Sequence, residues 1–174
     1  AAVAADHGLI LVQPLTPAED LTWWTELAPN TAWLAALHRE HLSGLTSAGG
    51  GTTWWTGYSG GAEMITYGLL PRAGEVVTGG AVMVGGGGAP DDPGTQVTVT
   101  EARRADLPLT WATGVHDDGS DPRSTFDALS ASVEGAEFYR ARGFGSVRTD
   151  FSRDADHFTI DQVNVLHNAL SGRL

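Results

Sequence analysis

Apolar runs alternate along the chain with segments in which apolar and polar positions recur at helical spacing. Short runs that are rich in branched or aromatic residues and bounded by Gly or Pro are typical of buried strands. This pattern predicts strands at residues 9–15, 53–57, 75–84, 107–115 and 147–151. Gly-rich stretches at 47–53 and 85–94 are expected to be loops.

Four further segments have the apolar spacing of an amphipathic helix. They begin near Thr31, at Gly60, after Ser124 and after Thr159. The expected helix signals are the caps Asn30, Ser124 and the pair Thr159 and Gln162, and the ends Pro71 and Gly143. Strand and helix therefore alternate about four times, which predicts an α/β fold with a mostly parallel sheet flanked by helices.

The length and composition narrow the class of protein. A chain of 174 residues is expected to form one domain over 1–174. The net charge is -11, with ten Arg and no Lys, which argues against a nucleic-acid partner or a basic membrane-binding patch. No apolar run approaches the ~18 residues of a membrane span, and the absence of Cys excludes disulfides. Secreted and cytoplasmic locations and the oligomeric state stay open.

One short motif carries chemistry. Residues 57–61 read Gly-Tyr-Ser-Gly-Gly, a match to Gly-x-Ser-x-Gly, with a predicted strand before it and a predicted helix after it. Such a turn holds the serine in a strained conformation with its hydroxyl above the sheet. Its neighbours Gly57, Gly60 and Gly61 are small enough for strand and helix to pass closely. We therefore predict that Ser59 is a nucleophile and that the Gly60 N–H is an oxyanion donor.

A serine hydroxyl needs a base, and the base needs an orienting acid. Asp117 follows the predicted strand 107–115, and His157 follows the predicted strand 147–151. The carboxyl ends of parallel strands share one edge of a sheet, where sites form. The chain order Ser59, Asp117, His157 is the order of hydrolase triads, so these three residues are the predicted catalytic set. His116 as the base, and Asp118 or Asp121 as the acid, stay open as alternatives.

The motif and its surroundings resemble a known family. Residues 56–62 (Thr-Gly-Tyr-Ser-Gly-Gly-Ala), 111–117 (Trp-Ala-Thr-Gly-Val-His-Asp), 138–144 (Phe-Tyr-Arg-Ala-Arg-Gly-Phe) and 156–158 (Asp-His-Phe) resemble α/β-hydrolase serine esterases, more narrowly the polyhydroxybutyrate-depolymerase-like and feruloyl-esterase-like family. In that family the acid commonly stands three residues after a strand-ending Gly, as Asp117 stands after Gly114. The resemblance implies short hydroxyacyl or aromatic-acyl ester substrates.

The resemblance also implies strands that this chain does not contain. The family's sheet has further N-terminal strands, and one of them lies between the strands expected at 9–15 and 53–57. No such strand precedes residue 9, so the domain is expected to be incomplete at its N-terminus. A sheet with this strand missing would have a gap with unpaired backbone groups.

Other polar clusters are weaker signals. His38 and His41 could share a metal, but no third ligand is evident, and the acidic residues 117–121 lack the alternation of a calcium loop. Trp54, Trp55 and Trp111 are expected in the core. We therefore expect no metal site and no cofactor.

The sequence as a whole predicts a serine hydrolase that cleaves carboxylic esters through an acyl-enzyme, acting on a small-molecule or polymer-end ester. The alternatives left open are a non-catalytic binding domain with the same fold, and a peptidase or acyltransferase that uses the same triad.

Overall fold

Four parallel strands form one sheet in the computed structural model, which describes residues 1–45 and 51–172. The strands lie in chain order as β1 (Trp54–Tyr58), β2 (Gly80–Val84), β3 (Leu109–Gly114) and β4 (Val147–Arg153). Every residue of β2 and β3 is buried, because helices cover both faces of the sheet. The predicted parallel α/β architecture is confirmed.

Seven helices surround the sheet in the described residues. They are α1 (Ala2–Asp6), α2 (Leu27–Leu37), α3 (Gly60–Glu63), α4 (Leu70–Arg72), α5 (Glu101–Arg104), α6 (Ala128–Ala141) and α7 (Gln162–Leu170). A π-helical turn, Met64–Leu69, joins α3 to α4, and a second one, His38–Leu42, extends α2. A 3-10 turn, Gly74–Val76, precedes β2. None of these helices is long and apolar enough to cross a bilayer.

Alternating side chains of the central strands separate two apolar layers. Met83 and Trp111 pack with Tyr139 of α6 on one face, together with residues of α2 and of the segment from α3 to α4. Val82 of β2 packs with Val165 of α7 on the other face. The period-two alternation of a strand therefore supplies two cores from one sheet.

The parallel register brings the carboxyl ends of the strands to one edge. Tyr58 at the end of β1 pairs with Val84 at the end of β2, and β3 ends at Gly114 opposite Arg153 of β4. A register shift between Ala112 and Gly114 bends β3 near this edge. The loops that follow the four strands therefore start close together.

The strand expected at residues 9–15 does not form. The segment is irregular, and its apolar side chains face outward, with Ile10 64% and Leu15 82% exposed. A strand needs a neighbour for its backbone groups, and β1 pairs only with β2 in the described residues. The prediction of a gap in the sheet is also wrong, because the four strands that form are contiguous and residues 9–15 are not among them.

Two helix caps differ from the prediction. Asp127 caps α6 by accepting the N–H of Ser130, and Asp161 caps α7 by accepting the N–H of Asn164. The predicted caps, Ser124 and Thr159, lie upstream of the helices. An aspartate adds a favourable charge at a helix N-terminus, which explains why these carboxylates fill the role.

Asn30 lies inside α2 rather than at its start. Its amide donates to the main-chain oxygens of Thr22 and Trp23 and so ties the helix to the preceding loop. The predicted helix end at Gly143 is confirmed, with a positive φ of 83° just after α6. The helical segment that starts at Gly60 ends at Arg72, next to the predicted Pro71.

The strand expected over 75–84 is shorter than predicted, because its first two residues belong to the 3-10 turn and β2 begins only at Gly80. Gly80, with a φ of 145°, begins the strand proper. The Gly-rich loop expected at 47–53 lies in part outside the described residues.

Candidate active site

Ser59 occupies a sharp turn between β1 and α3. Its φ of 52° and ψ of -123° lie where a side chain is rarely tolerated, and its N–H donates to the main-chain oxygen of Val84 at 2.9 Å. Strain of this kind persists only where the surrounding structure enforces it, and it is concentrated at functional sites. The turn holds the Ser59 hydroxyl above the edge where the strands end.

The small residues around Ser59 have unequal roles. A Cβ on Gly57 would lie 2.2 Å from the main-chain oxygen of Gly61, and a Cβ on Gly60 would lie 1.8 Å from the indole of Trp24. A Cβ on Gly61 would meet nothing within 4 Å, so the expectation that this position must be small is wrong. Gly60 supplies one of the first N–H groups of α3, which have no acceptor within the helix.

Ser59, His157 and Asp117 lie in one hydrogen-bonded row. Nε2 of His157 is 3.0 Å from Oγ of Ser59, and its Nδ1 is 3.0 Å and 2.9 Å from the two carboxylate oxygens of Asp117. A carboxylate only accepts, so Nδ1 carries the proton and Nε2 is free to accept from the Ser59 hydroxyl. The imidazole is thus oriented to take up the serine proton.

Burial dominates the electrostatics of the acid. Asp117 is 3% exposed and His157 8%. Burial raises the pKa of Asp117, while its hydrogen bond to His157 acts in the opposite direction. The carboxylate is therefore costly to bury, and its partner offsets part of that cost.

The loop after β3 holds Asp117 through its backbone. The Asp117 N–H donates to the oxygen of Gly114 at 3.2 Å, and the Asp117 oxygen accepts the N–H of Leu129 at 2.9 Å. This explains the three-residue offset from Gly114, because the chain reverses within one turn and directs the carboxylate back over the sheet edge.

The alternative acids and the alternative base point elsewhere. Asp118 accepts the N–H of Ser120, and Asp121 pairs with Arg123. His116 is exposed and lies 2.8 Å from Asp154. None of the three is hydrogen-bonded to Ser59 or His157.

The weaker metal signals find no support in the arrangement. His38 lies 2.9 Å from the hydroxyl of Thr53, and His41 is exposed. Across residues 1–45 and 51–172, no three His, Asp or Glu side chains lie close enough together to hold a metal ion.

Two solved structures resemble this one. Zea mays acyl-protein thioesterase 2 aligns with a TM-score of 0.61 and 17% identity over 84% of this chain and 64% of its own. Arabidopsis thaliana SOBER1 aligns with a TM-score of 0.56 and 14% identity over 92% of this chain and 67% of its own. The chain has an α/β-hydrolase fold. No protein-family model matches the sequence, and no curated protein matches it either.

The low identities establish the fold alone, which confirms the predicted fold class. The chain spans about two thirds of the length of both proteins, and 64% of the maize thioesterase. The narrower resemblance to polyhydroxybutyrate-depolymerase-like and feruloyl-esterase-like esterases stays a prediction.

In this α/β-hydrolase fold, a glycine loop after β2 packs against the side chains of Asp117 and His157. A Cβ on Gly85 would lie 3.3 Å from Oδ2 of Asp117 and 3.5 Å from Nδ1 of His157. Farther along the loop, the buried carboxylate of Glu63 accepts the N–H of Gly87 at 3.0 Å. Sequence analysis missed Glu63. Its signal was an acid four residues after Ser59, in the middle of an otherwise apolar helix.

Three aromatic side chains lie beside Gly60 and His157, the neighbours of Ser59 in the site. Trp24 contacts Gly60, while Phe126 and Phe158 lie edge-on to the His157 ring at 6.5 Å and 5.5 Å between centroids. These three side chains are between 40% and 52% exposed. Sequence analysis missed them because only the folded chain brings them to the site. Of the predicted core tryptophans, Trp111 is fully buried, and Trp54 and Trp55 are partly buried.

Proposed function

We propose that this protein is a serine hydrolase that cleaves carboxylic esters. The observation that carries the proposal is the row of Ser59, His157 and Asp117, with 3.0 Å between Oγ and Nε2 and 2.9 Å between Nδ1 and Oδ2. A hydroxyl, an imidazole and a buried carboxylate in this order form the geometry by which a serine becomes a nucleophile.

The reaction proceeds in two halves. Oγ of Ser59 attacks the ester carbonyl while Nε2 of His157 takes the hydroxyl proton. The tetrahedral intermediate collapses, the C–O bond to the alcohol breaks, and His157 returns the proton to the leaving alcohol. Water then attacks the acyl-enzyme with His157 again as base, which releases the acid and restores Ser59. Asp117 holds the imidazole in the required tautomer and stabilises its charged form.

The Gly60 N–H is the proposed oxyanion donor. It lies at the start of α3, directly after the nucleophile, where the partial positive charge of a helix N-terminus favours a developing negative charge. A donor of this kind contributes about 3 kcal/mol to transition-state stabilisation. The reaction needs no metal or cofactor at any step.

The proposed substrates have a small acyl group. Between β2 and β3 the only helix is the four-residue α5, so this segment provides no large helical lid. The three exposed aromatic side chains offer an apolar surface to a short hydroxyacyl or aromatic acyl group, the substrates implied by the family resemblance. The name of the maize neighbour, an acyl-protein thioesterase, is compatible with an ester or thioester bond.

Labelling with a fluorophosphonate tests the proposal. The probe reacts with activated serines, so we expect one adduct per chain, on Ser59, in the wild-type protein and in the exposed-serine control Ser130→Ala, and none in Ser59→Ala. An unlabelled but folded wild-type protein contradicts the proposal and favours a non-catalytic binding domain. A labelled protein is then assayed on ester, amide and acyl-acceptor substrates, and faster amide cleavage or acyl transfer contradicts the esterase assignment.

A further inference from the structure

Tyr58 links the nucleophile strand directly to the backbone of His157. It is the last residue of β1 and immediately precedes Ser59. Its hydroxyl donates to the main-chain oxygen of His157 at 2.5 Å, across 99 residues of sequence. Its ring lies beside the imidazole, with 5.0 Å between centroids and 33° between planes. One side chain therefore contacts both the backbone and the ring of His157.

The other main-chain bonds of the histidine loop do not reach β1 in the described residues. Ala155 donates to the main-chain oxygen of Arg153 at the end of β4 and accepts the N–H of His116 after β3. The loop lies between β4 and α7, and its turn is closed locally, where Asp156 accepts the N–H groups of Phe158 and Thr159. The ion pair between Asp156 and Arg123 joins the turn only to the neighbouring loop after β3. The hydrogen bond from Tyr58 anchors the His157 backbone to the strand that carries Ser59.

The Tyr58 hydroxyl is held in its donor form. Burial raises the pKa of Tyr58, and the charges of Asp117 and Asp156 act in the same direction. The phenol therefore keeps its proton in neutral solution. The Tyr58 ring also lies close to the hydrogen-bonded pair of Asp117 and His157. A Cβ on Gly85 would lie 3.3 Å both from Cε2 of Tyr58 and from Oδ2 of Asp117.

We infer that Tyr58 is a positioning residue, which fixes Nε2 of His157 relative to Oγ of Ser59 by anchoring the histidine backbone. The inference rests on the proposed function. Asp117 fixes the orientation of the imidazole through Nδ1, whereas Tyr58 fixes the position of the His157 backbone that carries the imidazole. Because Tyr58 and Ser59 are consecutive residues, a small movement of β1 displaces the nucleophile and the anchor of its base together.

The chain offers a matched control at Tyr139. Its hydroxyl also donates to a main-chain oxygen, that of Thr66, at 2.5 Å, but it is buried on the α6 face of the sheet and contacts none of the three site residues. Tyr58→Phe and Tyr139→Phe each remove one tyrosine-to-carbonyl hydrogen bond and keep the ring. They differ in whether the carbonyl belongs to His157.

The kinetic test compares the two variants with an activated acetyl ester. For Tyr58→Phe we expect kcat to fall about 10- to 100-fold with KM unchanged, because sub-ångström misplacement of a catalytic group acts on the transition state. The rate of fluorophosphonate labelling should fall by a similar factor. For Tyr139→Phe, kcat and KM should stay within twofold of wild type, whatever the loss in melting temperature. An unchanged kcat in Tyr58→Phe, or a change confined to KM, overturns the inference.

A second measurement separates this inference from the proposed function. The proton on Nδ1 of His157, shared with Asp117, is observed directly by proton NMR as a downfield resonance. We expect that resonance to shift or broaden in Tyr58→Phe and to stay in place in Tyr139→Phe. We expect this result even if the wild-type protein does not react with the fluorophosphonate. Failure to react contradicts the proposed function but not the positioning role of Tyr58. An identical resonance in all three proteins overturns the positioning role.

Discussion

Oδ2 of Asp117 lies 2.9 Å from Nδ1 of His157, and both side chains are almost fully buried. In Asp117→Asn the amide can donate to Nδ1 and so favours the wrong imidazole tautomer, with the proton on Nε2. We expect kcat to fall by up to ~10⁴ while the fold is kept. Asp118→Asn is the matched control, since that exposed carboxylate bonds only within its own turn. If Asp118→Asn lowers kcat far more than Asp117→Asn does, the assignment of the acid is wrong.

The stability of the protein should reflect the cost of burying Asp117. Its pKa is raised above the ordinary value of 3.8, chiefly by burial. A raised pKa means that the folded state binds the proton more tightly, so the associated stability is complete below pH ~3.8 and is lost as pH rises through the raised pKa. Asp117→Asn lacks this dependence. Urea unfolding from pH 4 to 8 should therefore show the free energy of unfolding of the variant gaining on wild type as pH rises. A constant difference contradicts the argument.

The backbone strain at Ser59 predicts a difference in stability between two variants that both lack the hydroxyl. At a φ of 52° and ψ of -123°, glycine is far better tolerated than alanine. Both Ser59→Gly and Ser59→Ala should be inactive, but Ser59→Gly should be more stable than Ser59→Ala by about 1 kcal/mol, the lower end of the strain at such positions. Thermal and urea unfolding measure the difference. Equal stability would indicate that the turn carries little strain.

Gly57 and Gly61 form a natural pair for testing the close approach of strand and helix. Gly57→Ala forces a methyl group to 2.2 Å from the Gly61 carbonyl, and we expect a loss of about 3 kcal/mol or more in the free energy of unfolding. Gly61→Ala enters open space within a helix and should stabilise by about 0.5–1 kcal/mol. Circular dichroism melts compare the two, and a mild Gly57→Ala would show that strand and helix can separate without cost.

The acyl preference follows from the open surroundings of Ser59. We expect acetyl to butyryl p-nitrophenyl esters to be cleaved faster than the palmitoyl ester, with no jump in rate above the solubility limit of the substrate. The measurement is kcat/KM across the chain-length series. A maximum at twelve or more carbons would instead indicate a lipase-like acyl groove.

The residues of the site that sequence could predict are those whose role depends on local context. Ser59 stands between an apolar strand and a helical segment, and Asp117 and His157 follow strand ends, so their meeting follows from the parallel topology. Tyr58 and Glu63 could not be assigned in this way. Their partners, His157 and Gly87, lie 99 and 24 residues away, and nothing in the local pattern specifies them.

In the fold, as in the site, the elements that could be predicted are those that depend on local sequence. Residues of β2 and β3 form apolar runs that are buried whatever their neighbours, so the pattern alone identifies them. Residues 9–15 have an equally apolar pattern, but a strand forms only with a partner, and pairing is a non-local property. The prediction of helix caps failed for a different reason. Ser124 and Asp127 both offer a suitable oxygen, and the residue at which α6 begins decides which of them accepts a free N–H.

The hydrogen bond between Ser59 and His157 closes a loop of 98 residues, the greater part of the sheet. A chain still emerging from the ribosome exposes Ser59 before β4 and the proposed base exist, and we expect such a chain not to react with a fluorophosphonate. We therefore expect reactivity toward a fluorophosphonate to appear only when β4 has paired with β3 and the histidine loop has docked. In a refolding experiment the return of that reactivity should therefore report the docking of the histidine loop on the strand that carries Ser59.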